Sequence, residues 1–404
     1  MAGSWVPGAD DSGFGLDNLP YGVVRHSSGE ARPAVRVGDY AVDLAQLADS
    51  GLLNGVSPET FAHPSLNGFL ALGRRTWTAT RRALTELLSD RRGAEAQVQG
   101  ALVPLAEAEP VMPVTIGDYV DFYASIEHAS NLGRLFRPDA EPLSANWRHL
   151  PVGYHGRAGT VVVSGTPIRR PNGQRAPSRP GEQPGFGPER RLDFELELGF
   201  VTGPGPARGE AIAASDAADY IFGFVLVNDW SAREIQRWEY QPLGPFLGKS
   251  FATTISPWVV PLDALASRRV RGPQQRPEPL AYLRTSEPWA LDVELEAELN
   301  GTVVTRTNAQ RLYWNVAQQL AHASSNGAAV AAGDLFASGT ISGSEPGTYG
   351  SLIEITWGGE NQLALRDGSR RTFLEDGDRV VFRGHAGPVS LGEAHGRIEP
   401  ARAA

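Results

Sequence analysis

The chain has no cysteine, which excludes disulfides, thiolate-bound metals and cysteine nucleophiles together. Any metal must then be held by oxygen or imidazole ligands. Long apolar runs are missing too: the most apolar window, Tyr220–Val227, is far too short to span a bilayer and ends at Asn228–Asp229. Positive charge is in deficit. A formal net charge of −9 argues against nucleic acid or an anionic membrane surface as the main partner, while leaving room for a local basic pocket. Residues 1–11 lack a basic segment followed by an apolar run, so no signal peptide is read there and a cytoplasmic protein is expected.

What is present suits a globular protein of two domains. The 404 residues are 41% hydrophobic and 21% charged, and 46 glycines with 30 prolines favour short strands and many turns over helical bundles. Strand-like pieces recur at Tyr21–Val24, Ala34–Val37, Ala41–Leu44, Thr160–Ser164, Leu192–Phe200, Tyr220–Asp229, Leu291–Leu299, Leu352–Trp357 and Asp378–Phe382. Helical spacing predicts one long helix over 65–89, a short one from Ser125 to Phe136 and a third from Asn308 to Ser325. The two prolines within 107–113 read as a linker, placing a domain boundary near residue 115. The Pro-, Gly- and Arg-rich stretch 171–190 has little to bury and reads as a mobile surface loop. The expected class is therefore mainly β with a few helices.

Three segments carry chemistry. In Leu192–Leu198 the leucines and Phe194 face one side of a strand while Asp193, Glu195 and Glu197 face the other. Carboxylates two residues apart lie about 7 Å from one another, so they need water or a shared cation. Asp292–Glu298 has the same alternation and more acid, and periodicity alone does not choose between a metal site and a solvated face for either strand. In Asn228–Gln236 an acid, Asp229, ends an apolar strand before a short helix that Ser231 is placed to cap, with Arg233 and Gln236 on one helical face. Gly248–Lys249–Ser250 echoes the tail of a phosphate-binding loop but lacks its upstream glycine spacing, and that reading fails. In Asp121–His128 a carboxylate precedes a helix carrying a histidine, and a lone histidine is more often structural than catalytic unless partners join it.

Taken together, the chain resembles the fumarylacetoacetate hydrolase family over nearly its whole length. The likeness is carried by Asn18–Gly22, Asp118–Tyr123, Leu150–Arg157, the run from Asn228 through Pro242–Phe251 to Thr253–Trp258, and Ala337–Ser344. It implies a small SH3-like barrel over 1–115 and a larger β-roll catalytic domain over 116–404. The implied reaction is hydrolysis of the carbon–carbon bond of 4-fumarylacetoacetate to fumarate and acetoacetate, the last step of tyrosine and phenylalanine breakdown. By the same resemblance Asp121, Glu195, Glu197 and Asp229 fall on metal positions, with Lys249 and Thr253 at a second cation-associated site. The acids of 292–298 then take the solvated-face reading. Mg²⁺ or Ca²⁺ is the expected cation, and Mn²⁺ fits the same oxygen donors. His128 matches the general base and Glu354 its orienting carboxylate, while Arg233, Gln236 and Lys249 match donors to the alkoxide. Tyr123, Arg137, Tyr154, Gln236, Tyr240 and Thr340 match substrate contacts, and a homodimer is implied. Departures are the pair Ile126–Glu127 before His128, Ala252 in place of a usual glycine, and the 171–190 stretch. Related activities on diketo acids (acylpyruvate hydrolysis, decarboxylation, isomerisation) are the alternative, followed by a non-catalytic β-rich binding protein.

Overall fold

The computed structural model describes residues 3–27, 29–90, 93–285 and 289–403. Its centre is the antiparallel pair Leu196–Thr202 and Ile221–Asp229, every residue of which is buried. Apolar side chains fill both faces of these strands, so the pair must be covered from two sides. Around it an eight-stranded mixed sheet forms. Leu335–Ala337, Tyr119–Phe122 and Gly153–His155 follow Leu196–Thr202, while Thr253–Ile255, Val161–Val163 and Val260–Pro261 lie on the side of Ile221–Asp229.

One face carries Val201, Val225, Val227, Leu335 and Ala337. It packs on a five-stranded antiparallel sheet in the order Leu102–Pro104, Tyr40–Asp43, Ala31–Val37, Tyr21–His26, Ala108–Val111, and on the helix Arg74–Leu88. The other face, with Leu198, Phe200, Phe224, Leu226 and Phe336, packs on a second five-stranded sheet. That sheet is built from Thr302–Asn308, Glu294–Leu299, Arg379–Ala386, Val389–Glu399 and Ile168–Arg169. This is the mixed α+β, mainly β architecture expected.

A bulge shapes the first interface. Val201 pairs with Gly223 and Thr202 with Ile221, so Phe222 is the extra residue. Its ring turns into the N-terminal layer and meets Tyr21, Phe69 and Trp77 edge-on at centroid distances of 5.2, 5.9 and 5.2 Å.

Several elements differ from their sequence reading. The helix expected over 65–89 splits into Asn67–Leu70 and Arg74–Leu88, because Gly73 takes φ +77° between them. The 107–113 linker contains the edge strand Ala108–Val111, where Pro110 is tolerated. The 171–190 stretch is not a plain loop but forms a hairpin from Asn172–Arg175 and Gly185–Pro188. The third helix covers only Val316–Ser324, since the Asn315–Gln318 capping box starts it there. Leu352–Ile355, read as a strand, is one helical turn. Ser231 lies in a two-residue strand instead of capping the helix Arg233–Glu239; the buried Glu189 carboxylate accepts from Glu234 and Ile235 N–H at 3.2 and 3.1 Å.

Phe222→Ala should lower stability by about 3–5 kcal/mol through the cavity it opens between the two layers, while the folded fraction keeps normal turnover. Urea denaturation checks this; a loss under about 1 kcal/mol would contradict the packing role assigned to the bulge.

Candidate active site

Strand register gathers the carboxylates. Asp121 pairs with Ala337 and Tyr154, Leu196 with Asn228, and Asp229 with Thr253. By alternation Asp121, Glu197 and Asp229 point to the sheet face shared with Tyr119, Val225 and Val227. Oxygens of these three acids lie within 4.8 Å of one another, all buried. Asp121 Oδ1 and Glu197 Oε1 have no hydrogen-bond partner among the described residues. Burial, then the charge of Asp229, pushes the Asp121 carboxyl well above its usual range. Burial, then Asp121 and Asp229, does the same to Glu197. Two orphaned buried acid oxygens in a trio of hard donors fit a divalent cation.

Three of the four expected metal acids are thus together. Glu195 adjoins them but is engaged otherwise: its Oε1 lies 2.8 Å from Arg233 Nη2, and its Oε2 accepts from Lys249 Nζ. Lys249 Nζ also donates to Asp229 Oδ2 at 2.5 Å. Burial opposes charge on Lys249, but Asp229 and Glu195 outweigh it and hold the amine protonated. In this arrangement the Lys249 ammonium serves the cluster as a counter-charge to Glu195 and Asp229. Thr253 Oγ1 donates to Asp229 Oδ1 at 3.1 Å, and Tyr154 OH donates toward Asp121 Oδ2 and Asp229 Oδ2 at 2.8 and 2.9 Å.

Beside the trio stands an imidazole dyad. Ser125 caps the helix Ile126–Phe136 and accepts from His128 N–H at 3.4 Å. His128 Nδ1 is 2.7 Å from Glu354 Oε2, leaving Nε2, at 3.7 Å from Glu195 Oε1, as the nitrogen not bound to Glu354. Glu354 also accepts from Asn131 Nδ2 at 3.0 Å, Ser342 Oγ at 2.9 Å and Ser351 Oγ at 2.7 Å. Burial alone would raise its pKa, but His128 and these hydrogen bonds win and the carboxylate is held below its usual range. Sequence reading gave no sign of Asn131, Ser342 or Ser351, which are ordinary polar residues until the fold brings them to Glu354. Glu127 is half-buried and turns to Ser125 Oγ at 3.5 Å.

Asp121 of the trio and His128 of the dyad, with Glu195 and Lys249, line a cavity of about 420 Å³ whose walls include all six expected substrate contacts, Tyr123, Arg137, Tyr154, Gln236, Tyr240 and Thr340. Leu132, Phe136 and Val152 supply an apolar side. The buried Thr340 hydroxyl has no partner among the described residues, and Gln236 Oε1 accepts from Arg233 Nη1 at 3.0 Å. A larger cleft of about 810 Å³, at Arg36, Trp258 and His395, contains none of these groups. The competing acidic strand is a charged surface: Glu294 is exposed, while Glu296 pairs with Arg306 and Glu298 with Arg383, each at 2.8 Å.

An imidazole free to take a proton, next to an anionic trio suited to a cation, is the equipment of a hydrolytic enzyme. The comparisons give that class a family. Residues 17–113 match the family description "Fumarylacetoacetase N-terminal" and residues 119–398 match "Fumarylacetoacetate (FAA) hydrolase C-terminal". The chain is 46% identical to the fumarylacetoacetase of Rattus norvegicus over 98% of its own length and 99% of the relative's. It is 46% identical to that of Arabidopsis thaliana, with 98% of each covered. This chain belongs to the fumarylacetoacetate hydrolase family. Among solved structures it is similar to a fumarylacetoacetate hydrolase from Exiguobacterium antarcticum (TM-score 0.57, 16% identity, 95% of this chain and 100% of that one). It is also similar to a 5-carboxymethyl-2-hydroxymuconate delta-isomerase from Mycobacterium smegmatis (TM-score 0.53, 16% identity, with the same shares covered). At such identities these structures speak for the fold alone.

The raised carboxyls have a measurable sign. A carboxyl whose pKa rises on folding keeps its proton in the native state after the unfolded chain has lost it. Its stabilisation is complete below the usual carboxylate range, about pH 4, and is lost as pH rises. Chelator-treated protein should therefore melt at progressively lower temperature between about pH 5 and pH 8. Excess Mg²⁺ or Ca²⁺ should raise the melting temperature and flatten that slope. Scanning fluorimetry decides; a metal-free melting temperature that climbs through this window, with no response to cation, would contradict the trio's role.

Proposed function

We propose that this protein hydrolyses 4-fumarylacetoacetate at its carbon–carbon bond, giving fumarate and acetoacetate. The observation that carries the reading is the full-length likeness to fumarylacetoacetases at 46% identity, with the His128–Glu354 pair at 2.7 Å beside the acid trio. His128 Nε2 takes a proton from water as the water oxygen bonds to the carbonyl carbon. Glu354 holds the tautomer and stabilises the imidazolium that results. Arg233, Gln236 and Lys249 face the alkoxide, whose collapse breaks the carbon–carbon bond, and the imidazolium returns its proton to the departing carbon. Arg137 suits a terminal carboxylate by its forked donors, and Tyr123, Tyr240 and Thr340 complete the pocket. A divalent cation held by Asp121, Glu197 and Asp229, with Glu195 beside them, would stabilise the enolate charge that develops on the leaving group.

Mg²⁺ or Ca²⁺ fits the oxygen-only donors, with Mn²⁺ as a substitute, and Lys249 with Thr253, beside Asp229, marks the second cation-associated site of the same reading. A cytoplasmic homodimer belongs to the same reading and rests on the resemblance and the composition. The fold is also shared with an isomerase, so another keto-acid reaction is the second reading.

His128→Ala should lower kcat by roughly 10²-fold or more with little change in KM. Chromatography of the wild-type products should show fumarate and acetoacetate. Normal turnover by the variant removes the assigned base, whereas carbon dioxide or a product of unchanged mass favours the second reading.

A further inference from the structure

Asp193 has no part in the reaction as described, yet both of its oxygens are fully used. It is 0% exposed. Its Oδ1 accepts from the backbone N–H of Leu352 at 2.7 Å and of Phe194 at 2.8 Å. Its Oδ2 accepts from Ile353 N–H at 3.0 Å and from Arg233 Nε at 2.9 Å, with Arg233 Nη2 at 2.8 Å. Leu352 and Ile353 are the first two residues of the turn that carries Glu354. That turn has no cap of its own, because the Ser351 hydroxyl donates to Glu354 Oε2 at 2.7 Å. A single helical turn is too short to be stable alone, and its first amides need acceptors. The other end of the Asp193 contact, Arg233, reaches Glu195 Oε1 at 2.8 Å and Gln236 Oε1 at 3.0 Å.

We propose that Asp193 is a positioning residue for the hydrolytic reaction, tying the Glu354 turn to Arg233 so that base and alkoxide donors hold one spacing; this rests on the function proposed above. Without the carboxylate the turn loses its cap and the guanidinium loses a fixed partner. A misplacement of about 1 Å at such a site costs on the order of 10²-fold in rate. Asparagine does not replace it. Donors converge on both oxygens, so an amide nitrogen would face a donor whichever way it turned.

The test is a double-mutant cycle. Asp193→Asn, with cation saturating, should lower kcat about 10²-fold and change KM by less than about threefold. In a Glu354→Gln background the same substitution should cost under about threefold more, since the dyad it positions is already broken. Hydrogen exchange should rise at the amides of 352–356 in Asp193→Asn while the central strands keep wild-type protection. Asp193→Ser, which keeps a small acceptor, serves the cycle if the asparagine variant does not unfold cooperatively. Multiplicative losses, wild-type kcat in a folded variant, or failure of both variants to fold would overturn the proposal and leave Asp193 a core residue only. If the wild-type protein does not consume fumarylacetoacetate, the function falls, and the exchange pattern alone still decides whether Asp193 holds the turn.

Discussion

Four buried carboxylates, Asp121, Glu195, Glu197 and Asp229, converge at the end of the central sheet, and among the described residues two permanent cations, Lys249 and Arg233, pair with them. Each acid is at most 4% exposed, so uncompensated charge there is costly. Lys249 bridges Glu195 and Asp229, Arg233 takes the other oxygen of Glu195, and Asp121 and Glu197 are left with an orphaned oxygen each. The remaining negative charge has two ways to be balanced, by protons or by a divalent ion. The high pKa values of Asp121 and Glu197 express the first and the geometry of the trio suits the second. Function follows from that tension, because an ion drawn in by the acids is also placed beside the base.

The rest of the fold keeps the acids dry and in register. The two central strands are buried along both faces, the N-terminal sheet covers one and the C-terminal sheet the other. The bulge at Phe222 anchors the N-terminal layer on the same face as the trio. Beside the trio the dyad hangs on two short helices, one capped by Ser125 and one held by Asp193. The base is thus set by local hydrogen bonds and the trio by sheet register.

Much of this was legible in the sequence, and the gaps have physical causes. Period-two alternation marks a strand over 192–200, where Leu192–Asp193 and Leu196–Thr202 form, but it cannot say which face is covered. The equally acidic Glu294–Leu299 turns its acids to an accessible face of its sheet, where Glu296 and Glu298 pair with arginines, and only family likeness separates the two strands in the sequence. Glu354 was placed correctly as the partner of His128 but on a strand. Leu352–Ile355 has β-branched, apolar character, and its helical turn depends on Asp193, more than 150 residues earlier in the chain. The cap of the helix Arg233–Glu239 escaped for the same reason: Glu189 supplies it from 44 residues or more away, while Ser231 satisfied only the local rule. Gly73, a single residue at φ +77°, divided a helix whose apolar spacing looked continuous.

We infer that a divalent cation sits among the buried acids Asp121, Glu197 and Asp229. Anomalous diffraction from crystals soaked in Mn²⁺ tests it directly, because the ion reports its own position. The account predicts a strong anomalous peak between Asp121, Glu197 and Asp229, absent from a Glu197→Gln crystal treated alike. A soaked crystal with no peak at the trio, or with peaks only at surface carboxylates, would contradict it.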